Sequence, residues 1–190
     1  MKNIIIILCD TLGAKHMIVT SDHGEHFGEY GYINHFFSLH DELIHVPLLV
    51  KYPAGAAGEK RETRLCQLND IFATIIDLLN LPYPTPVSSM SLLSERKRRF
   101  ALAQVVQFDF WHNMILRVNP GYDLEKCDFL KHKLALVIDD PAGLYKLIIN
   151  KDRTVDVYLT GKAGGCKPAG HEIIEKYRDN IQNLEKSYFI

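Results

Sequence analysis

The sequence predicts an α/β protein in two parts, and three observations carry that expectation. Residues 4–8 form an unbroken aliphatic run that stops at Cys9-Asp10, and continuous apolar strands belong to parallel sheets covered on both faces. Leu68, Ile71, Phe72, Ile75, Ile76 and Leu79 recur with the period of one helix face. Beyond about residue 100 the pattern changes to short strand-like runs separated by turn residues. The expected architecture is a parallel α/β part in residues 1–95. A smaller, mostly antiparallel part with a terminal helix follows in residues 96–190.

In chain order, residues 3–8 read as a buried strand. Residues 17–20 read as a second, ending in the polar cluster Ser21-Asp22-His23-Gly24-Glu25. Residues 46–51 read as a third, with Pro47 near its start where an unused N–H is tolerable. Between them, residues 24–45 are rich in His, Gly and aromatics without a clean period, which predicts a loop with a short helical turn near 38–43. The helix over 69–80 has Asn69 or Asp70 to cap its start and Pro82 beyond its end. Residues 81–99 are linker-like, with Pro82, Pro84 and Pro86 and the basic run Arg96-Lys97-Arg98-Arg99. That run reads as a solvated loop, with anion binding as the alternative.

Strands are then expected over 100–106, 113–118, 133–138, 144–149 and 154–159, the last two as an antiparallel hairpin. Turn signals lie at Asn119-Pro120-Gly121, Asp139-Asp140-Pro141 and Asn150-Lys151-Asp152. Residues 171–186 form an amphipathic helix with Ile173, Ile174, Tyr177, Ile181 and Leu184 on one side. Trp111 and the aromatics Phe108, Phe110 and Phe129 are expected to fill the core under the second sheet.

Composition narrows the function classes. Of 190 residues, 22 are Lys or Arg and 23 Asp or Glu, a net charge of -1. That balance offers no field to attract nucleic acid or an anionic membrane. The aliphatic run at 4–8 is too short to span a bilayer and lacks a cleavage site after it, so a cytoplasmic location is expected. Cys9, Cys66, Cys127 and Cys166 lie far apart, the pattern of isolated buried thiols rather than a zinc ribbon or disulfide scaffold.

The chemistry-bearing residues follow the first two strands: Asp10 after one, Asp22-His23 after the other. In an open parallel sheet ligands gather at the carboxyl ends of strands. If these strands are neighbours, two carboxylates and an imidazole converge into a plausible divalent-metal site. Carboxylates suit Ca²⁺, Mg²⁺ or Mn²⁺, and the imidazole tilts the choice toward Mn²⁺ or Zn²⁺. A loop-closing Asp and a surface His are the plainer reading. The five histidines His23, His26, His35, His40 and His45 also allow independent zinc binding as a minor alternative.

Several segments in order resemble the sulfatase family. Residues 3–17, NIIIILCDTLGAKHM, are similar to its opening strand. Residues 18–31, IVTSDHGEHFGEYG, are similar to its T-S-D-H-G-E segment. Residues 35–53, HFFSLHDELIHVPLLVKYP, resemble its stretch ending in a V-P-L strand and Y-P turn. Asp70 and Thr74 match its D-x-x-x-T helix, and residues 87–93 its S-L-L segment. Residues 145–159 are faintly like its C-terminal hairpin.

The resemblance implies a partial alkaline-phosphatase/sulfatase-like sheet and metal-dependent hydrolysis of sulfate esters. Phosphate or phosphonate esters are an alternative. It implies Asp10, Asp22 and His23 as metal ligands, with Ca²⁺ the family's ion and Mn²⁺ or Zn²⁺ as alternatives. His35 is the implied residue that contacts the sulfate or protonates the leaving group. The expected partner is a small-molecule sulfate or phosphate ester, with neither nucleic acid nor membrane.

Two departures qualify that expectation. Sulfatases use a C-x-P-S-R nucleophile segment, and this sequence has none. Cys166-Lys167-Pro168-Ala169-Gly170 has the Cys and Pro but neither the Ser nor the Arg, and reads as a turn. The family's long middle segment is also absent, so the first two strands are joined almost directly. A parallel pairing needs a crossover of a dozen or more residues. The strands must therefore pair antiparallel, which sends Asp10 and Asp22 to opposite ends, or one must leave its usual place. The sequence thus predicts either an impaired sulfatase-like hydrolase or a non-catalytic remnant that binds a partner. An incomplete sheet would leave an edge open to self-association.

Overall fold

A computed structural model describes residues 5–8, 17–52, 61–83, 88–105, 109–123, 126, 131–160 and 166–188. Its first sheet contains β1 (Ile5–Leu8), β2 (Met17–Thr20) and β5 (Leu48–Lys51) in the order β1-β2-β5. Both pairings are antiparallel: Ile5 lies opposite Thr20 and Leu8 opposite Met17, while Met17 also faces Lys51. The parallel first sheet expected from the aliphatic runs is therefore corrected. The short connection over residues 9–16 cannot make a crossover, so the chain folds straight back. Burial agrees: Ile18 and Thr20 are buried, whereas Leu49 is exposed, so this sheet is not covered on both faces.

The segment between β2 and β5 is mostly loop, as expected. It carries the two-stranded hairpin β3 (His26–Phe27) and β4 (Ile33–Asn34) and the short helix α1 (Asp41–Ile44). The helix α2 (Asp70–Leu78) forms where the period predicts it. Asn80 adopts a positive φ and the Leu81 amide donates to Ile76 O at 3.0 Å, the left-handed closure that ends a helix. The start differs from expectation. Asn69 makes no side-chain cap bond, and the Asp70 carboxylate instead accepts from the Gln67 amide at 2.9 Å.

Asp70 and Thr74 lie one turn apart on a buried face, and together they hold the S-L-L segment. Asp70 Oδ1 accepts from the Met90 amide at 2.7 Å, and Thr74 Oγ1 accepts from the Leu92 amide at 2.8 Å. Arg98 completes the arrangement by donating to Asp70 and to Gln67 Oε1, and Arg99 donates to the Tyr177 hydroxyl at 3.2 Å. Part of the basic run is thus built into the packing rather than solvated. A fully buried carboxylate with an arginine as partner explains the difference.

The second sheet is antiparallel throughout, in the order β10-β9-β8-β7-β6. Its strands are β6 (Phe100–Val105), β7 (Lys133–Asp140), β8 (Gly143–Asn150), β9 (Val155–Thr160) and β10 (Cys166–Pro168). The β8–β9 hairpin is as expected. Three local expectations are corrected. Residues 113–118 belong to a helix, Asp109–Val118, which we label α3. Trp111, Met114, Ile115 and Val118 keep helical spacing once Trp111 is included in the window. Cys166–Pro168 is a strand, not a turn. Asp139 and Asp140 end β7, so the turn begins at Pro141. Cys66 is exposed rather than buried, while Cys9, Cys127, Phe108 and Phe129 lie outside the described residues.

The central strands are buried on both faces. Leu134, Leu136, Ile138, Leu147 and Ile149 face the C-terminal helices α4 (Glu172–Lys176) and α5 (Arg178–Tyr188), meeting Ile173, Tyr177 and Ile181. Tyr177 separates the two helices, and its hydroxyl donates to Asp140 at 2.6 Å. Lys176 also donates to Asp140, and these bonds hold the Asp140 carboxyl well below the usual carboxylate range.

The opposite face of the same sheet, with Ala135 and Ile148, receives Leu39 from the loop before α1. Lys146 also points to this side, has no exposed surface, and donates to Asp41 Oδ1 at 2.6 Å. Lys133 donates to Phe37 O at 3.1 Å. The two sequence halves are thus joined through one packed layer. No described helix is long and apolar enough to cross a membrane.

Removing Asp41 leaves a buried ammonium without its anion. Asp41→Ala should lower unfolding stability by about 3–5 kcal/mol, measured by urea denaturation. The joint replacement Asp41→Leu with Lys146→Met should recover most of that loss, because it removes both charges and keeps the volume.

Candidate functional site

Ser21 and Asp22 follow directly from β2, and the backbone then turns through His23-Gly24-Glu25. The turn is closed locally: Ser21 Oγ donates to His23 O at 2.6 Å, and Asp22 Oδ1 accepts from the His23 amide at 3.0 Å. Gly24 and Glu25 then pair with α1, their amides donating to Leu43 O at 2.8 Å and Glu42 O at 3.1 Å. A Cβ on Gly24 would lie 1.8 Å from Glu42 O. Only glycine permits that approach, which is the physical content of the G in D-H-G-E.

The result is a compact polar group. The His23 ring stacks on His35 with centroids 4.3 Å apart. His35 Nδ1 lies 3.4 Å from Glu25 Oε2, and the Glu25 side chain is almost buried. His23 Nδ1 lies 2.8 Å from Gly24 O. A carbonyl only accepts, so Nδ1 carries a proton, and in the neutral tautomer of this ring Nε2 is the nitrogen with the lone pair. That Nε2 is 3.7 Å from Asp22 Oδ2. One imidazole nitrogen and one carboxylate are therefore presented side by side.

Asp22, His23 and His35 come together as a neighbourhood. Asp10 lies outside the described residues. The antiparallel register puts the carboxyl end of β1, at Leu8, beside Met17 and away from Thr20, where Asp22 and His23 begin. Among the described residues no three His, Cys, Asp or Glu side chains converge so as to hold a metal ion. The donors present are one oxygen and one nitrogen, a set that suits a divalent cation only if solvent or ligand oxygens supply most of its shell. His26 sits buried in β3 and His40 packs on the second sheet, so neither of these extends it.

The Sulfatase family model matches residues 16–81. Over that segment, about a third of the chain, the sequence is similar to the sulfatase family. It is similar to Arylsulfatase K of Bos taurus, 33% identical over 84 residues, covering 44% of this chain and 15% of that protein. Arylsulfatase K of Homo sapiens is 34% identical over 84 residues, with the same two shares. The uncharacterized sulfatase YidJ of Escherichia coli (strain K12) is 24% identical over 174 residues, covering 90% of this chain and 34% of that protein. The chain thus spans 15% to 34% of the length of these relatives. No solved structure matches it.

The sulfatase segment also contains what the sequence reading left without a role. Glu25 stands inside the T-S-D-H-G-E motif, and its position next to His35 follows only from the Gly24–α1 bridge. Asp41 and Lys146 carry no motif that pairs them.

Gly24→Ala must displace Glu42 O or the motif backbone. It should cost at least about 1–3 kcal/mol in thermal unfolding, whereas Gly121→Ala, with nothing closer than 3.9 Å, should stay within about 0.5 kcal/mol of wild type.

Proposed function

We propose that residues 16–81 form the cation-ligand segment of a sulfatase-type site, with Asp22 and His23 as ligands and His35 facing the leaving oxygen of a sulfate ester. The packing of His23, His35 and Glu25 into one group at the end of β2 is the observation that supports this reading most. A divalent cation bound there supplies charge neutralisation of the ester oxygens. The chain's own residues do the positioning. Gly24 O keeps the His23 proton on Nδ1 and leaves Nε2 available as a donor. Glu25 faces His35 Nδ1, so that Nε2 is the atom that exchanges a proton with the leaving oxygen.

On this reading the chain by itself hydrolyses sulfate esters slowly or not at all. No C-x-P-S-R segment is present to supply the formylglycine nucleophile. With two donors the cation is held weakly, its shell filled by water. A second reading, a non-catalytic module that binds a cation or anion, is favoured by the antiparallel register, which takes the β1 end away from Asp22.

The test is thermal unfolding with millimolar Ca²⁺, Mg²⁺, Mn²⁺ or Zn²⁺, alongside hydrolysis of an aryl sulfate and an aryl phosphate. At least one cation should raise the midpoint of the wild type. Asp22→Ala should abolish the rise and Asp10→Ala should leave it intact. A flat response of the wild type to all four cations would sink the proposal. An equal loss in Asp10→Ala would restore a shared three-ligand site. Turnover of the phosphate but not the sulfate would redirect the substrate assignment.

A further inference from the structure

His40 stands where the loop meets the second sheet, in a buried site that disfavours the charged ring through desolvation and two nearby lysines. Tyr30 stacks on it with centroids 3.8 Å apart and planes 10° apart. Tyr158 of β9 meets it edge-on at 5.4 Å, and Tyr32 and His26 each lie at 6.2 Å. The residue is 8% exposed, and its buried Nδ1 has no hydrogen-bond partner. Tyr30 holds its place at a backbone φ of 54°, an uncommon conformation for a tyrosine.

The charges around this cage are unevenly arranged. Lys146 of β8 and Lys133 of β7 face the ring from the sheet, and Asp156 of β9 is the opposing acid. Lys146 is already committed to Asp41, the next residue along the chain. Glu29 faces His26 rather than His40, with Oε2 3.8 Å from His26 Nδ1. A proton on His40 would therefore put a third cation beside two lysines, with Asp156 alone as the opposing acid named for this ring.

We propose that neutral His40 is the latch that docks residues 36–44 on the second sheet, and that its protonation releases this segment in mild acid. Because α1 carries the carbonyls that hold Gly24 and Glu25, release also loosens the His23–His35–Glu25 group. The functional meaning of that loosening rests on the reading above, whereas the release itself does not.

The direction in pH follows from the burial. Desolvation, with Lys146 adding to it, lowers the His40 pKa from 6.5 to about 4. The unfolded or undocked ring takes its proton near 6.5, whereas the docked ring resists until about 4. Docking is thus fully present above 6.5, is lost progressively as pH falls from 6.5 toward 4, and loses nothing more below that. Each pKa unit is tenfold, so the docking equilibrium shifts about 300-fold across the window. Asp140 titrates elsewhere and lower, because its carboxyl is held below the usual range.

Trp111, the single tryptophan, reports on the segment because it packs edge-on against Phe36 and Phe37, at 5.4 and 5.8 Å. The experiment follows its emission from pH 8 to pH 4 together with hydrogen exchange of the Leu43, Ile44 and His45 amides, corrected for intrinsic rates. Wild type should show a red shift over this range and a fall in protection of about 150-fold by pH 4, half of the full shift because the docked ring is then half protonated, while the β7 and β8 amides stay protected. His40→Phe, which keeps a ring for Tyr30, should be flat in both readouts, and His40→Gln should be flat in both if the larger ring does not fit. The same transition in both variants overturns the proposal. So does a change in emission with undiminished amide protection, which would be simple quenching by a neighbouring protonated histidine.

Discussion

A lysine ammonium with no exposed surface must find an anion inside the fold, and here the anion comes from the other half of the sequence. Lys146 lies in the middle of β8, between Tyr145 and Leu147, in a strand whose other apolar residues alternate between the two faces. On the helix-covered face, Asp140 is engaged by Lys176 and Tyr177. Asp41 satisfies Lys146 from α1, and that one contact fixes where the loop between β2 and β5 can lie. Leu39 and the backbone at Phe37 then meet the same face. A buried pair of this kind adds little net stability compared with apolar packing, yet breaking it is costly, so it acts by specifying one arrangement.

The first sheet answers to a different constraint, the length of chain between its strands. Residues 9–16 are too few for a crossover, and an antiparallel ribbon is what they permit. A ribbon of three short strands covers little, and Leu49 on its outer strand β5 is exposed. Thr20 adds a bond to Pro47 O at 2.9 Å at the edge of the β2–β5 pair, and the loop between β2 and β5 is anchored on the larger sheet through Lys133 and Lys146. The motif-bearing segment therefore sits in a topology that differs from the parallel one its aliphatic strands lead one to expect.

The elements legible in the sequence were those with long or repeated patterns. The period of 68–79, the alternation in β7 to β9 and the terminal amphipathic stretch each specify an element without help from elsewhere. The window 113–118 misled because six residues with apolar members fit either period, and Trp111 decides it. Strand direction was not carried by composition, since an aliphatic run looks alike in either orientation, but chain length between strands did carry it. In the candidate site, the motif draws attention to Asp22 and His23, and the position ahead of the V-P strand to His35. Glu25 was not, because its role depends on a backbone bridge to residues 42 and 43 that no local pattern encodes. His40 was visible only as one of five histidines; its enclosure comes from Tyr158, more than a hundred residues away.

These facts join into one mechanical chain. Lys146 holds Asp41 at the start of α1. The same short helix offers Glu42 O and Leu43 O to the amides of Glu25 and Gly24. Gly24, lacking a Cβ, comes close enough to take that bond, and the turn it makes brings His23 onto His35 and Glu25 against His35 Nδ1. The polar group at the end of β2 thus derives its geometry from the antiparallel second sheet as much as from its own motif. A disturbance at the sheet face, whether a lost carboxylate at Asp41 or a charge placed on His40, reaches the histidine pair through four residues of helix. That short route explains how a motif can keep an ordered arrangement of side chains when the sheet beneath it is only a three-stranded ribbon.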